Sequence, residues 1–241
     1  MKILLIRHGD PDYEKDSLTE KGWHEAELLA QRMAELEIQS FYVSPLGRAK
    51  DTASCTLKKM GREAEELAWL REFHAPIPDF HTGEPRIPWD QLPADWTAEP
   101  KYYDNIRWAE TLPMLEGHVI DEVNRVWNGL DEVLAKHGYV RNGNYYDAVS
   151  PNEDTLAFFC HFGVTCVMLS HLLGISPMIL HGFCAAPTSV TALITEERRK
   201  GVALFRMNAF GDTAHLFANH EEPAFAARFC EIFANQEQRH D

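Results

Sequence analysis

Residues 2–9 read KILLIRHG, a compact apolar run that ends on two cation-capable side chains, Arg7 and His8, and then a glycine. A run this short and this apolar suits a strand buried on both faces of a sheet. Such a strand must deliver Arg7 and His8 to a place that tolerates charge. The pattern recurs in residues 155–163, TLAFFCHFG, where an aromatic-rich run ends on His161 and reaches Gly163 two positions later.

Working outward, Phe41-Tyr42-Val43 reads as a short strand ended by Ser44-Pro45, and residues 67–70 as another. Helical spacing appears in residues 23–36 (Ala26, Leu29, Ala30, Met33, Leu36), with Thr19 as the expected N-cap. It returns in 48–60, stopped by Gly61, in 118–136 and in 163–173. Residues 189–195 and 202–208 read as closing strands, and a terminal helix is expected from about Pro223. Strands alternating with helices predict an α/β fold, a three-layer sandwich with a central, mostly parallel sheet flanked by helices. In open sheets of this class ligands collect beyond the carboxyl ends of the strands, so His8 and His161 are expected at one sheet edge.

From residue 73 to 117 the texture changes. Prolines at 76, 78, 85, 88, 93, 100 and 113 preclude long regular elements. Trp89, Trp96, Tyr102, Tyr103 and Trp108 argue against disorder. The stretch is expected to be an ordered, irregular insertion packed on the main body. The whole chain, 1–241, is expected to form one domain, with 73–117 as a candidate cap.

Bulk properties narrow the function classes. The net charge of −14 disfavours binding to nucleic acid or to an anionic membrane surface, so any anion site has to be built locally from Arg and His. The five cysteines are an odd count without C-x-x-C spacing and read as reduced, mostly buried thiols of a cytoplasmic protein. The first residues carry no signal peptide pattern, and no apolar run approaches the roughly 20 residues of a membrane span. The 12 histidines show no HxH or HxxxH ligand spacing, and His171 and His181 read as structural, so no metal is expected. No internal repeat is present. The oligomeric state stays open, with a homodimer among the alternatives.

Arg7 and His8 after one strand, Arg48 after another and His161 after a third would form a concave site of two guanidiniums and two imidazoles. Guanidinium offers a fixed fork of donors that fits phosphate oxygens. A neutral imidazole whose far nitrogen is held by a backbone acceptor can attack phosphorus and carry the phosphoryl group. The departing alkoxide then needs a proton from a nearby carboxylic acid.

Four segments in order, LIRHGD (5–10, preceded by Leu4), LTEKG (18–22), YVSPLGRAKDTA (42–53) and FFCHFGV (158–164), resemble the histidine phosphatase superfamily, which includes cofactor-dependent phosphoglycerate mutases. The resemblance covers residues 1–72 and about 154–220. It implies that His8 is the nucleophile, that Arg7 and Arg48 bind phosphate, and that His161 is the second histidine of the phosphate pocket. It further implies an acidic proton donor in an L-x-E context, met here by Leu70-Arg71-Glu72; Glu72 is therefore the expected acid, with Glu153 and Glu84 as fallbacks. Two departures stand out: DPDYEKDS (10–17) lacks the Asn that many members keep after the RHG motif, and Phe162 separates His161 from its glycine.

The mutases of the family resemble one another in a Trp- and Asn-containing stretch soon after RHG, which this chain lacks. The expected activity is therefore hydrolysis of a small-molecule phosphomonoester without cofactor or metal. A phosphoglycerate-type mutase and a catalytically weak phospho-ligand binding protein are the alternatives. Arg71, Arg86 and Arg107, in or beside the insertion, are candidate contacts to an anionic substrate, set against the plainer reading as surface arginines.

Overall fold

The apolar run at the N-terminus forms β1 (Lys2–Arg7), and its side chains divide between two cores by simple alternation. Ile3 and Leu5 join one hydrophobic cluster, and Leu4 and Ile6 join the other. A strand with layers on both faces has no polar face to show, which is why its sequence is continuously hydrophobic. The computed structural model describes residues 1–88, 90–226 and 228–240. Trp89 and the side chain of His181 lie outside the described residues.

The main helices and the strands of the large sheet that follow are α1 (Glu20–Met33), β2 (Ser40–Val43), α2 (Gly47–Met60), β3 (Glu65–Glu66), α3 (Val119–Lys136), β4 (Tyr139–Asn142), β5 (Tyr145–Ala148), β6 (Thr155–Cys160), α4 (Phe162–Leu173), β7 (Val190–Arg199), β8 (Val202–Asp212) and α5 (Ala214–Phe217). The eight strands form one mixed sheet in the order β3-β2-β6-β1-β7-β8-β5-β4. The block β3-β2-β6-β1 is parallel, and β7, β8, β5 and β4 extend it antiparallel. One core lies on the face carrying Leu29 and Met33 of α1 and Ala53 of α2. The other lies on the face carrying Val126 and Leu130 of α3, Val167 of α4, and Trp96, Tyr102 and Trp108 of the 73–117 segment. This is the expected three-layer α/β architecture.

Local chemistry explains most element ends. Thr19 caps α1, its hydroxyl accepting the Gly22 N–H at 3.0 Å. Gly61 ends α2 in the left-handed region, at φ 62°. The 73–117 segment is built from a two-stranded ribbon and four helical turns of four or five residues each. Its fully buried Trp108 and Phe73 each remove enough apolar surface to contribute roughly 2–3 kcal/mol.

Three sequence expectations differ from the structure. Residues 67–70 are not a strand: only Glu65–Glu66 pairs with β2, and Ala68–Leu70 is a 3₁₀ turn. Arg125 Nη1 binds the Trp69 carbonyl at 2.6 Å, so this backbone is committed to α3 and not to the sheet edge. The helix expected from Pro223 is absent from the described residues; the described residues after His220 form an irregular strap. The sequence expectations contain no hairpin β4–β5, although its two-residue turn, Gly143-Asn144 with Gly143 at φ 58°, carries an ordinary hairpin signal. Among the described residues no helix is long and apolar enough to cross a membrane.

Candidate active site

The register of the parallel block builds the site. Arg7 of β1 stands opposite Cys160 of β6, and Phe159 of β6 stands opposite Val43 of β2. The next residues along, His8, His161 and Ser44, are thereby set side by side beyond the carboxyl ends of three adjacent strands. Backbone bonds continue the ladder past the ends, from His8 N to Cys160 O and from Ser44 N to Phe159 O, both at 3.0 Å. The His8 and His161 rings lie 5.1 Å apart, centre to centre. His161 is fully buried and His8 is 2% exposed.

His8 Nδ1 lies 2.7 Å from the Gly9 carbonyl oxygen, which can only accept; Nδ1 therefore carries the proton and Nε2 keeps its lone pair. Burial, helped by the positive charge of Arg7 and Arg48, pushes the His8 pKa down to about 3. The same causes, with His8 itself, drive His161 well below its ordinary value. Both rings are neutral at pH 7. Gly9 is pinned by its own N–H, which binds Thr52 Oγ1 at 2.9 Å.

The two arginines are anchored through one nitrogen each. Arg7 Nη1 donates to the Ala185 carbonyl at 2.6 Å, and its guanidinium lies over the Phe162 ring at 5.9 Å. Arg48 Nη1 pairs with Asp16 at 2.6 Å, while the other Asp16 oxygen accepts the Gly47 N–H at 2.6 Å. Tyr13 lies under the Arg48 guanidinium at 5.5 Å. The loop that lacks the family's Asn thus supplies Asp16 and Tyr13 to Arg48 instead. In both arginines the buried Nε has no partner among the described residues.

Glu72 arrives from the turn after β3. Its Oε1 accepts the Phe73 N–H at 2.8 Å and the Val164 N–H at 3.2 Å, so it serves as a cap for the N-terminus of α4. Burial raises its pKa; the Phe73 N–H, Arg7, the Val164 N–H and Arg48 oppose that shift. Gly163 explains the displaced glycine: a Cβ there would sit 2.7 Å from Glu72 Oε1. The glycine makes room for the carboxylate at the helix end.

The structure therefore brings His8, Arg7, Arg48, His161 and Glu72 to one place. Glu153 is exposed ahead of β6, at the opposite edge of the sheet, and Glu84 is exposed in the ribbon of the 73–117 segment. Arg71, Arg86 and Arg107 are engaged with Glu122, Asp79 and Glu110, and none lines the pocket. His171 bonds Asp131 at 2.8 Å and stacks on Trp127, a structural role as expected.

A cavity of about 390 Å³ opens in front of Arg7, Glu72 and Phe162. Its outer wall comes from Ile87 and Asp90 of the insertion, from Phe183 and Cys184 ahead of β7, and from Arg228, Phe229 and Arg239 of the C-terminal strap. Sequence reasoning missed the strap, Asp16 and Ser44. In sequence the Ser-Pro pair signals only a strand end, and the strap's phenylalanines carry helical spacing. All five cysteines are free, with Cys160 and Cys166 buried, Cys55 and Cys230 half-buried and Cys184 exposed. Among the described residues no three His, Cys, Asp or Glu side chains stand together as metal ligands.

Comparison with known proteins follows the same lines. The family model of the histidine phosphatase superfamily (branch 1) matches residues 3–208. A probable phosphoglycerate mutase GpmB from Serratia proteamaculans is 30% identical over 112 residues, covering 41% of this chain and 52% of that protein. The chain spans about half or less of the length of the curated relatives it matches. A phosphoserine phosphatase structure from Entamoeba histolytica superposes with a TM-score of 0.59 at 21% identity, covering 89% of this chain and 98% of the other. A phosphoglycerate mutase structure from Bacillus anthracis gives 0.57 at 18% identity, covering 92% and 97%. These two likenesses establish the shared fold, and with the family match over residues 3–208 the chain belongs to the histidine phosphatase superfamily, branch 1.

Proposed function

We propose that the protein is a metal-independent phosphatase that hydrolyses phosphomonoesters through a phosphohistidine on His8. The observation that carries the reading is the His8 Nδ1 bond to the Gly9 carbonyl at 2.7 Å, which leaves the Nε2 lone pair as the nucleophile of a neutral ring beside two arginines.

In the first step Nε2 attacks phosphorus, the P–O bond to the leaving group breaks, and Glu72 gives its proton to the departing oxygen. Arg7, Arg48 and His161 hold the equatorial oxygens. The ring now carries positive charge, stabilised by the Gly9 carbonyl at Nδ1. In the second step ionised Glu72 takes a proton from water, the hydroxyl attacks phosphorus, and the P–N bond breaks. Inorganic phosphate leaves, Nε2 recovers its lone pair and Glu72 is again protonated.

Hydrolysis is favoured over mutase chemistry because Glu72 lines an open cavity, so water reaches the carboxylate that must activate it. The insertion contributes Ile87 and Asp90 to that cavity and acts as a cap that helps select the leaving group.

The test is turnover of p-nitrophenyl phosphate in metal-free buffer over pH 5–8, with phosphoryl labelling of the protein by rapid quench. Wild type is expected to turn over and to carry acid-labile, base-stable label, both lost in His8→Ala. An inactive wild type that binds phosphate would support a binding protein instead. Isomerisation of a phosphoglycerate faster than its hydrolysis would support a mutase.

A further inference from the structure

Ser44 follows the last residue of β2, is fully buried, and lies against His161. Its Oγ accepts the Leu46 N–H at 3.2 Å and stands 2.7 Å from His161 Nε2. A serine hydroxyl has one hydrogen to give. Among the described residues, the acceptor facing that hydrogen is His161 Nε2; if Nε2 were itself protonated, two hydrogens would compete for one contact. A buried hydroxyl hydrogen without an acceptor is costly, so the pairing has one favourable sense.

We propose that Ser44 is a positioning residue that sets the tautomer of His161: Ser44 Oγ–H donates to Nε2, and the imidazole proton is held on Nδ1. His161 Nδ1 is buried and has no partner among the described residues, in a ring 5.1 Å from that of His8. A buried N–H without an acceptor is a feature to be explained, and an anionic oxygen of the transferring group explains it. Because the ring is neutral, it has a single N–H, and the choice of nitrogen decides whether the phosphoryl group meets a donor or a lone pair. The second meeting is repulsive. The Leu46 N–H, at the start of α2, fixes the hydroxyl's orientation by occupying one of its lone pairs. The strand end thus dictates which ring nitrogen carries the proton. The inference rests on the reading of His8 as phosphoryl acceptor only for its purpose; the tautomer itself is independent of it.

The test is long-range ¹H–¹⁵N correlation of the histidine rings in full-length, ¹⁵N-labelled protein, with the His161 signals identified by their loss in His161→Gln. Wild type is expected to show a pyrrole-type Nδ1 and a pyridine-type Nε2 at residue 161. The reverse pattern in wild type overturns the proposal, whatever the variants do. In Ser44→Ala the pattern is expected to shift towards Nε2–H, with kcat lowered about 10- to 100-fold; Ser44→Thr, which keeps the hydroxyl, retains the wild-type pattern. Loss of activity in Ser44→Ala with the tautomer unchanged also overturns it. Full turnover in His8→Ala alongside an Nδ1–H at His161 would refute the proposed function and leave this inference standing.

Discussion

Gly163→Ala is the substitution that most sharply probes how this site handles its proton. An added Cβ would lie 2.7 Å from Glu72 Oε1, so the carboxylate must withdraw by about 0.7 Å to reach ordinary contact. Oε1 is the far end of a flexible side chain, so the fold yields there at small cost. The Val164 N–H, already at 3.2 Å, then passes beyond bonding range. Losing that donor costs about 1.5–3 kcal/mol of carboxylate stabilisation. The acid becomes weaker and sits farther from the leaving oxygen, and general acid catalysis supplies roughly 10²–10⁴ in rate. We expect kcat for alkyl phosphates to fall about 10- to 100-fold, and that for p-nitrophenyl phosphate, whose leaving group needs no proton, to fall less than about threefold. The assay is kcat across a series of leaving groups, with thermal melting as a control for folding. An equal loss across the series, or none, refutes the role of Glu72 as acid.

Two further outcomes follow from other parts of the molecule. Glu25 is fully buried, accepts the Ala224 N–H at 2.8 Å, and is pushed up to about 7 by burial. Because the folded chain holds this proton to higher pH than the unfolded chain, its contribution to stability is complete below about pH 4.5 and is lost as pH rises through about 7. Glu25→Gln should therefore gain on wild type by about 2 kcal/mol between pH 5 and pH 8 in urea unfolding; parallel pH profiles would contradict this. Arg228 and Arg239 line the outer cavity wall, Arg228 already paired with Glu231. Replacing both with Ala should raise KM about three- to tenfold for phosphomonoesters that also bear a carboxylate, with little change for those whose leaving group is uncharged. A uniform KM change across such a panel would place the arginines outside substrate recognition.

What was legible in the sequence was what local periodicity and strand punctuation determine. The runs ending at Arg7 and Cys160 could be read because burial on both faces forces continuous hydrophobicity, and the parallel register then carries His8 and His161 together. The strap was illegible for the opposite reason. Phe225 and Phe229 are spaced like a helix face, but Ala224 N is taken by Glu25 and Cys230 N by the Arg239 carbonyl, bonds that no local pattern announces. Asp16 and Ser44 escaped notice because each acts through another residue, Asp16 across 32 positions to Arg48 and Ser44 across 117 to His161. Residues 65–70 were ambiguous because a short apolar run suits a strand and a turn equally; the Arg125 bond to Trp69 decides between them.

The central placement of β1 has a consequence for the birth of the protein. Lys2 pairs with Thr155 on one side and with Ile194 on the other, so β1 has no partner in this sheet until synthesis has reached β6. At about 5–20 residues per second of synthesis, KILLIR waits on the order of 10–30 s, an exposed apolar segment with high strand propensity. Chains interrupted before residue 155 cannot bring His8 and His161 together. The meeting of His8 and His161 is consequently a late event of folding, and it marks the joining of β1 to the sheet.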